Sequence, residues 1–327
     1  MTFDNSVLDI PYLMYRRLKY VLFSDSSPVV ASIKITQRCN LHCAHCTWVN
    51  KVTHDLPLDS WKNVIDIIYR RGCFVVFLEG GEPTLRRDLA DIVKYIKNKG
   101  MVCVLFTNGT RKLPDFELDA IWISIDGTEK SHDSIRGKGT YRRIMDTLGD
   151  YPDKNTYSMT TLSKVNADEI EAICRELSSS SLKGLMFNFM YPYQDVSRIT
   201  LSKEKRISCA RQILDLKQGY SKIVSSDSYL KAVGQPDRLC YPWILLLVTA
   251  DGTITQGCTV EPAEKPNCEV CDMMCGLEAT LGFELDRASV HFWNLFNILT
   301  SFNIDHLPDW AIRLLSIKHR QTRTHYE

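Results

Sequence analysis

The chain has 327 residues, a length that suits one large α/β domain with an appendage, or two domains. Hydrophobic residues make up 44% and charged residues 24%, the mix of an ordinary soluble globular protein. Forty basic and 39 acidic residues leave a formal net charge of +1, so no global field argues for a polyanion, and no nucleic-acid partner is expected.

Residues 1–28 form a first segment. Its stretch "IPYLMYRRLKYVLF" mixes aromatics, leucines and basic residues at helical spacing. It lacks a basic region followed by an uninterrupted apolar core, so a cytoplasmic location is expected. From residue 29 short apolar strands alternate with amphipathic helices. "VVASIKIT" reads as a strand feeding a cysteine loop, and "SWKNVIDIIYRRG" as a helix with a glycine stop. "CFVVFLEGGEP" reads as a strand and turn, and "DLADIVKYIKNKG" as a helix. "MVCVLFTNG", "AIWISIDG", "TYSMTTL" and "GLMFNFMYP" are further strands, with helices near 140–149, 166–178 and 202–218. Such alternation implies parallel strands and right-handed crossovers. About six units fit, too few for an eight-fold barrel, so the fold class is α/β, a partial (β/α)6 barrel over 29–220. Its chemistry is expected at the C-terminal strand ends, where the unusual residues fall.

Those ends are "ITQRCNLHCAHCTWVN", "GGEP" (Gly80–Pro83), "TNG" (Thr107–Gly109) and "SIDG" (Ser124–Gly127). Taken singly, each is a strand ending in turn-favouring residues. The first holds Cys39, Cys43 and Cys46 within eight positions. Three thiols could bind three irons of a cubane and leave the fourth open to a small ligand. Zinc is the rival, with His42 or His45 completing a tetrahedron.

In this order and context, Cys39-x3-Cys43-x2-Cys46 followed by "GGEP", "TNG" and "SIDG" resembles the radical S-adenosylmethionine (SAM) enzymes over roughly residues 29–220. The resemblance implies that Cys39, Cys43 and Cys46 ligate a [4Fe–4S] cluster whose open iron is chelated by SAM. It implies that Gly80, Gly81, Glu82 and Pro83 receive the SAM amino group, with the Glu82 carboxylate accepting from the ammonium. Ser124 and Asp126 become candidates for the ribose hydroxyls, and Asn108 for the cleft lining. Arg136, in "HDSIRGKGTY", becomes a candidate for the SAM carboxylate, against the plainer reading of a solvated loop charge. The position before the third cysteine is often aromatic and close to adenine; here it is His45. A reduced cluster would pass one electron to SAM and release a 5′-deoxyadenosyl radical, which implies an electron-donor partner such as flavodoxin or ferredoxin.

Residues 221–282 change character. "ILLLVTADGTITQG" reads as a β-hairpin turning at Asp251-Gly252, which would bring Cys240 and Cys258 together. Cys268, Cys271 and Cys275 add three more thiols. A zinc ribbon fits this spacing; by the resemblance, the region is an extension carrying a second, auxiliary [4Fe–4S] cluster. "RLCYPW" and "CxxCxxxCGLEAT" are similar to the ending of hopanoid-type (adenosylhopene synthase-like) radical SAM proteins. Cys73, Cys103, Cys174 and Cys209 stand singly in strand or helix patterns and are expected in the core.

The flanks, including a C-terminal helical segment over 283–327 with "HFWNLFNILTSF", suit an apolar or lipid substrate and peripheral contact with a membrane surface. A small-molecule or lipid substrate is therefore the first expectation, reached by hydrogen abstraction or radical addition. The alternatives are a peptide-modifying radical SAM enzyme and a non-catalytic iron–sulfur or zinc scaffold that senses redox state.

Overall fold

The computed structural model describes residues 9–46, 54–260 and 265–294. Expectations for residues 1–8 and 295–327 lie outside the described residues. After helix α1 (Asp9–Phe23), the chain runs β1 (Val30–Lys34), α2 (Leu58–Arg70), β2 (Val75–Glu79), α3 (Leu89–Asn98), β3 (Val102–Thr107) and β4 (Ala120–Ser124). It continues α4 (Glu129–Arg136), α5 (Thr140–Asp150), β5 (Thr156–Leu162), α6 (Ile170–Ser178), β6 (Gly184–Phe189), α7 (Lys203–Leu216) and α8 (Asp227–Ala232). A hairpin, β7 (Leu245–Val248) and β8 (Ile254–Gln256), precedes α9 (Met274–Phe283) and α10 (Arg287–Asn294).

Strands β1 to β6 lie side by side in sequence order, all parallel, as the partial-barrel reading requires. The hairpin forms where expected, with Gly252 at φ +84° in its turn. It also does something the sequence does not announce: β7 pairs in parallel with β1, so the sheet runs β6-β5-β4-β3-β2-β1-β7-β8. The Cys240 and Cys258 that flank the hairpin are thereby carried to the β1 edge of the sheet.

Side chains alternate between faces along each strand, and the two faces have different covers. Ala31, Ile33, Val76, Leu78, Cys103 and Leu105 pack with Trp61, Ile65 and Ile68 of α2 and with Ile92 and Ile96 of α3. The opposite face carries Val30, Val75, Phe77 and Val104, packed with residues of α8, α9 and α10 such as Tyr229, Phe283 and Trp293. The Trp293 ring stacks on Phe77, with centroids 6.2 Å apart and planes 11° apart. The α8–α10 layer thus fills the lower part of the inner face. Toward the strand C-termini Lys34, Glu79, Phe106 and Ser124 remain only partly buried on that face, and Glu79 accepts from Ser32 Oγ at 2.7 Å and pairs with Lys34. Cys73, Cys103, Cys174 and Cys209 are all buried, as expected.

Helix α1 closes the inner layer from the other side. Fully buried Arg17 donates to Glu284 Oε2 at 2.8 Å, and Tyr20 stacks on Trp243 with centroids 4.8 Å apart. Its outer side leaves Tyr15, Leu18, Leu22 and Phe23 exposed. Among the described residues no helix is long and apolar enough to cross a membrane.

One buried acid ties the three inner helices together. The Glu278 carboxylate of α9 accepts from Ser226 N and Ser226 Oγ at 3.0 Å, at the start of α8, and from Ser289 Oγ of α10 at 2.8 Å. Burial pushes its pKa up to about 7, against those hydrogen bonds. The folded state therefore holds a proton that the unfolded chain releases in the ordinary carboxylate range. Folding stability from this group is expected to fall as pH rises from about 4.5 to about 7. In Glu278→Gln that slope should vanish, as measured by urea denaturation across this range.

Candidate active site

The cysteine loop follows β1 and is fastened to the β2 tip through main-chain groups. Ile35 N donates to Glu79 O at 2.9 Å, Gly81 N to Thr36 O at 2.7 Å and Glu82 N to Arg38 O at 2.8 Å. Side chains have no room in this seam. A Cβ on Gly80, which sits at φ +149°, would fall 2.3 Å from Thr36 O, and one on Gly81 would fall 2.2 Å from Arg38 O. Gly81→Ala is expected to cost about 1–3 kcal/mol by forcing the strand tip and the loop apart. The measurement is the denaturation midpoint, with iron content read on the same sample.

Beyond that seam two of the three thiols stand near N–H donors. Cys39 Sγ accepts from Leu41 N at 3.4 Å and lies 3.9 Å from Asn108 Nδ2, while Arg136 Nη1 lies 4.0 Å from Cys43 Sγ. Burial pushes Cys43 up to about 11, opposed by Arg136 and reinforced by Cys46 and Cys39, so the three thiols feel one another. Among the described residues no three His, Cys, Asp or Glu side chains converge tightly enough to hold a single metal ion. A cubane is gripped at separate corners and does not require such convergence, so this donor set fits a [4Fe–4S] cluster.

Glu82 is engaged by the protein's own donors. Its side chain is fully buried, and Oε1 accepts from Thr84 N (3.1 Å), Thr84 Oγ1 (2.6 Å) and Thr107 Oγ1 (2.8 Å), while Oε2 accepts from Asn108 N at 2.7 Å. The carboxylate is turned inward and clamps the β2 tip to the β3 tip. The peptide groups of Gly80 and Gly81 lie against the cysteine loop, and Pro83, itself buried, opens the helical turn that follows.

The candidates on the β4 side are likewise drawn into a network. Arg136 ends α4, so it is no solvated loop charge: its Nε donates to fully buried Asp126 at 2.6 Å. Asp126 also accepts from Thr161 N at 2.9 Å, and His45 Nε2 lies 3.8 Å away. Burial would raise the Asp126 pKa, but Arg136, His45 and the Thr161 N–H outweigh it and hold the group below the usual carboxylate range. With zero exposure and those partners, Asp126 orients the Arg136 guanidinium through their ion pair. Ser124, one strand position away from the buried Ile123, stays part exposed at the end of β4. Asn108 bridges to Asn40 Oδ1 at 2.9 Å and lines the floor beside Cys39. Helix α4 was not read from the sequence, although its residues supply both Arg136 and His132, whose Nδ1 accepts from Asp126 N at 3.0 Å.

The Radical SAM superfamily model matches residues 33–177, which span these same strand tips. Over those residues the chain is similar to the radical SAM superfamily. The Fe-coproporphyrin III synthase of Methanosarcina barkeri is 30% identical over 59% of this chain and 51% of its own length. The PqqA peptide cyclase of Bradyrhizobium diazoefficiens is 33% identical over 32% of this chain and 30% of its own. The chain thus spans about half or less of the length of these curated relatives. Streptococcus suis SuiB bound to the precursor peptide SuiA shares the fold with a TM-score of 0.62 at 13% identity, over 76% of this chain and 64% of that one. The resemblance to hopanoid-type proteins is not what these matches display.

Outside residues 33–177, the segment with the other clustered cysteines is held at the β6 end. Residues 267 and 274 are fastened to the β6 end: Asn267 N donates to Tyr191 Oη at 2.8 Å and Met274 N to Asn188 Oδ1 at 2.9 Å. Arg238 takes the carbonyls of Cys268, Glu269 and Cys271, the last at 2.8 Å through Nη2. Fully buried Asp272 pairs with Arg206 at 2.7 Å and lies 3.3 Å from Arg238. Thr259 Oγ1 lies 3.8 Å from Cys275 Sγ, which joins the end of the hairpin to the start of α9. Tyr141 Oη donates to Glu176 at 3.0 Å, and Tyr191 and Tyr193 pack edge to face with centroids 4.8 Å apart. Arg206, Arg238 and Asp272 carry no motif, and sequence reasoning passed over them.

Proposed function

We propose that the chain is a radical SAM enzyme that cleaves SAM reductively and modifies a peptide substrate. The observation that carries the SAM-cleaving half is the juxtaposition of three thiols with a seam of bare peptide groups at Gly80 and Gly81. A reduced [4Fe–4S] cluster held by Cys39, Cys43 and Cys46 would supply the single electron that breaks the S–C5′ bond of SAM. Gly80 and Gly81 would present main-chain groups to the SAM amino end, and Arg136, oriented by Asp126, would offer its guanidinium to the carboxylate. Ser124, part exposed, is the remaining candidate for a ribose hydroxyl. Ferredoxin or flavodoxin is the class of electron donor this reaction calls for.

The peptide reading is supported by the similarity to PqqA peptide cyclase and by a fold shared with peptide-bound SuiB beyond the 33–177 region. The lipid reading rested on amphipathic flanks and a hopanoid-like ending, and the relatives lend it no support. Helix α1 uses its Arg17 and Tyr20 for packing, which leaves less of its amphipathic character to explain. We take Cys240, Cys258, Cys268, Cys271 and Cys275 as the source of ligands for an auxiliary [4Fe–4S] cluster.

The test is anaerobic reconstitution with iron and sulfide, then dithionite and SAM. Production of 5′-deoxyadenosine supports the reading, and its absence from protein carrying a full iron complement overturns it. Peptides encoded beside the gene, supplied to that assay and followed by mass spectrometry, test the substrate class. No mass change in any of them, with a change in a lipid extract, would restore the lipid reading.

A further inference from the structure

Five thiols for a four-cornered cluster leave one over, and the structure separates them. The geometry points to Cys240, Cys258, Cys271 and Cys275 as a closed set of four ligands, with Cys268 outside it; this rests on the auxiliary-cluster reading above.

The start of α9 is the common point. A Cβ on Gly276 would lie 3.2 Å from Cys240 Sγ, so the Cys240 thiol rests on the helix turn that carries Cys275. From the hairpin side, Thr259 Oγ1 lies 3.8 Å from Cys275 Sγ, which brings the neighbouring Cys258 to the same place. Cys271 arrives through its anchor. Asp272 is fully buried, bonded to Arg206 and to Gly234 N at 2.9 Å, so the chain turns inward from Cys271 onward. Cys268 and Cys240 are both exposed, whereas Cys258, Cys271 and Cys275 are partly buried, so Cys240 enters the set by its contact with the α9 turn and not by burial. The loop wraps Arg238 with its carbonyls, and Cys268 occupies the outer start of that wrap.

The assignment has a consequence for function. A cubane with four protein thiolates has no open vertex. This set therefore suits passing an electron to or from the concave face, and substrate is held by protein groups there and not by the second cluster.

Iron and sulfide per chain in the anaerobically reconstituted full chain give the test. Wild type is expected to hold about eight irons, and Cys268→Ala about eight. Cys240→Ala, Cys258→Ala, Cys271→Ala and Cys275→Ala should each fall to about four. Loss of about four irons from Cys268→Ala, with Cys271→Ala intact, overturns the assignment. A wild type with only about four irons overturns the auxiliary-cluster reading itself, so the two failures are distinguishable. Wild-type holoprotein treated with iodoacetamide gives a readout that needs no variant. Cys268 should be alkylated while the other four are protected until iron is chelated; protection of Cys268 with labelling of Cys271 overturns the set.

Discussion

Glu82→Ala is expected to unfold more easily than wild type by about 3 kcal/mol, because it strands two backbone N–H groups, those of Thr84 and Asn108, in a buried site. It also removes the acceptor of two threonine hydroxyls and so releases the β3 tip from the β2 tip. Glu82→Gln should cost less, since Oε1 keeps its three donors and only Asn108 N is left facing an amide NH2. Urea denaturation of both variants decides the matter. If the side chain instead received the SAM ammonium, Glu82→Gln would weaken SAM binding with its unfolding midpoint unmoved. A fall in midpoint for both variants, larger for alanine, is the outcome the inward clamp requires.

The combined substitution Cys39→Ala/Cys43→Ala/Cys46→Ala is expected to abolish 5′-deoxyadenosine production and to remove about four irons of about eight. The thiols stand on a loop whose course is set by main-chain bonds to residues 79, 81 and 82, with a further one from Ala44 N to Ile135 O at 2.8 Å. None of those bonds uses a cysteine side chain, so the fold should survive. Near-wild-type circular dichroism with halved iron is the expected pair of measurements. Purified wild type that is colourless and carries zinc at the first loop would end the radical reading and leave the α/β architecture standing.

Much of the architecture was legible because strand length and helix period are local properties. β5 occupies the expected "TYSMTTL", and β1, β2, β3, β4 and β6 each fall inside their expected stretches. Helix α9 was hidden for a physical reason: "MCGLEATLGF" is buried almost all round, so it shows no polar face and no period. The hairpin was readable but its docking on β1 was not, since an edge partner is chosen by the whole sheet. At the site, the thiols and the glycine seam followed from residue type and spacing. Where Glu82 and Asp126 point did not, because an acid at a strand tip reads the same whether it faces the cleft or the protein's own donors. The buried Thr107 and Asn108 beside the one, and Arg136 beside the other, decide it.

The seam between the first thiol loop and the β2 tip is a junction of peptide bonds on both sides. Amide hydrogens there should exchange slowly even in protein stripped of iron, because no metal is needed to close them. Such a preformed cradle would let assembly machinery deliver its cargo to a receptor that is already shaped, and not to a floppy strand of cysteines.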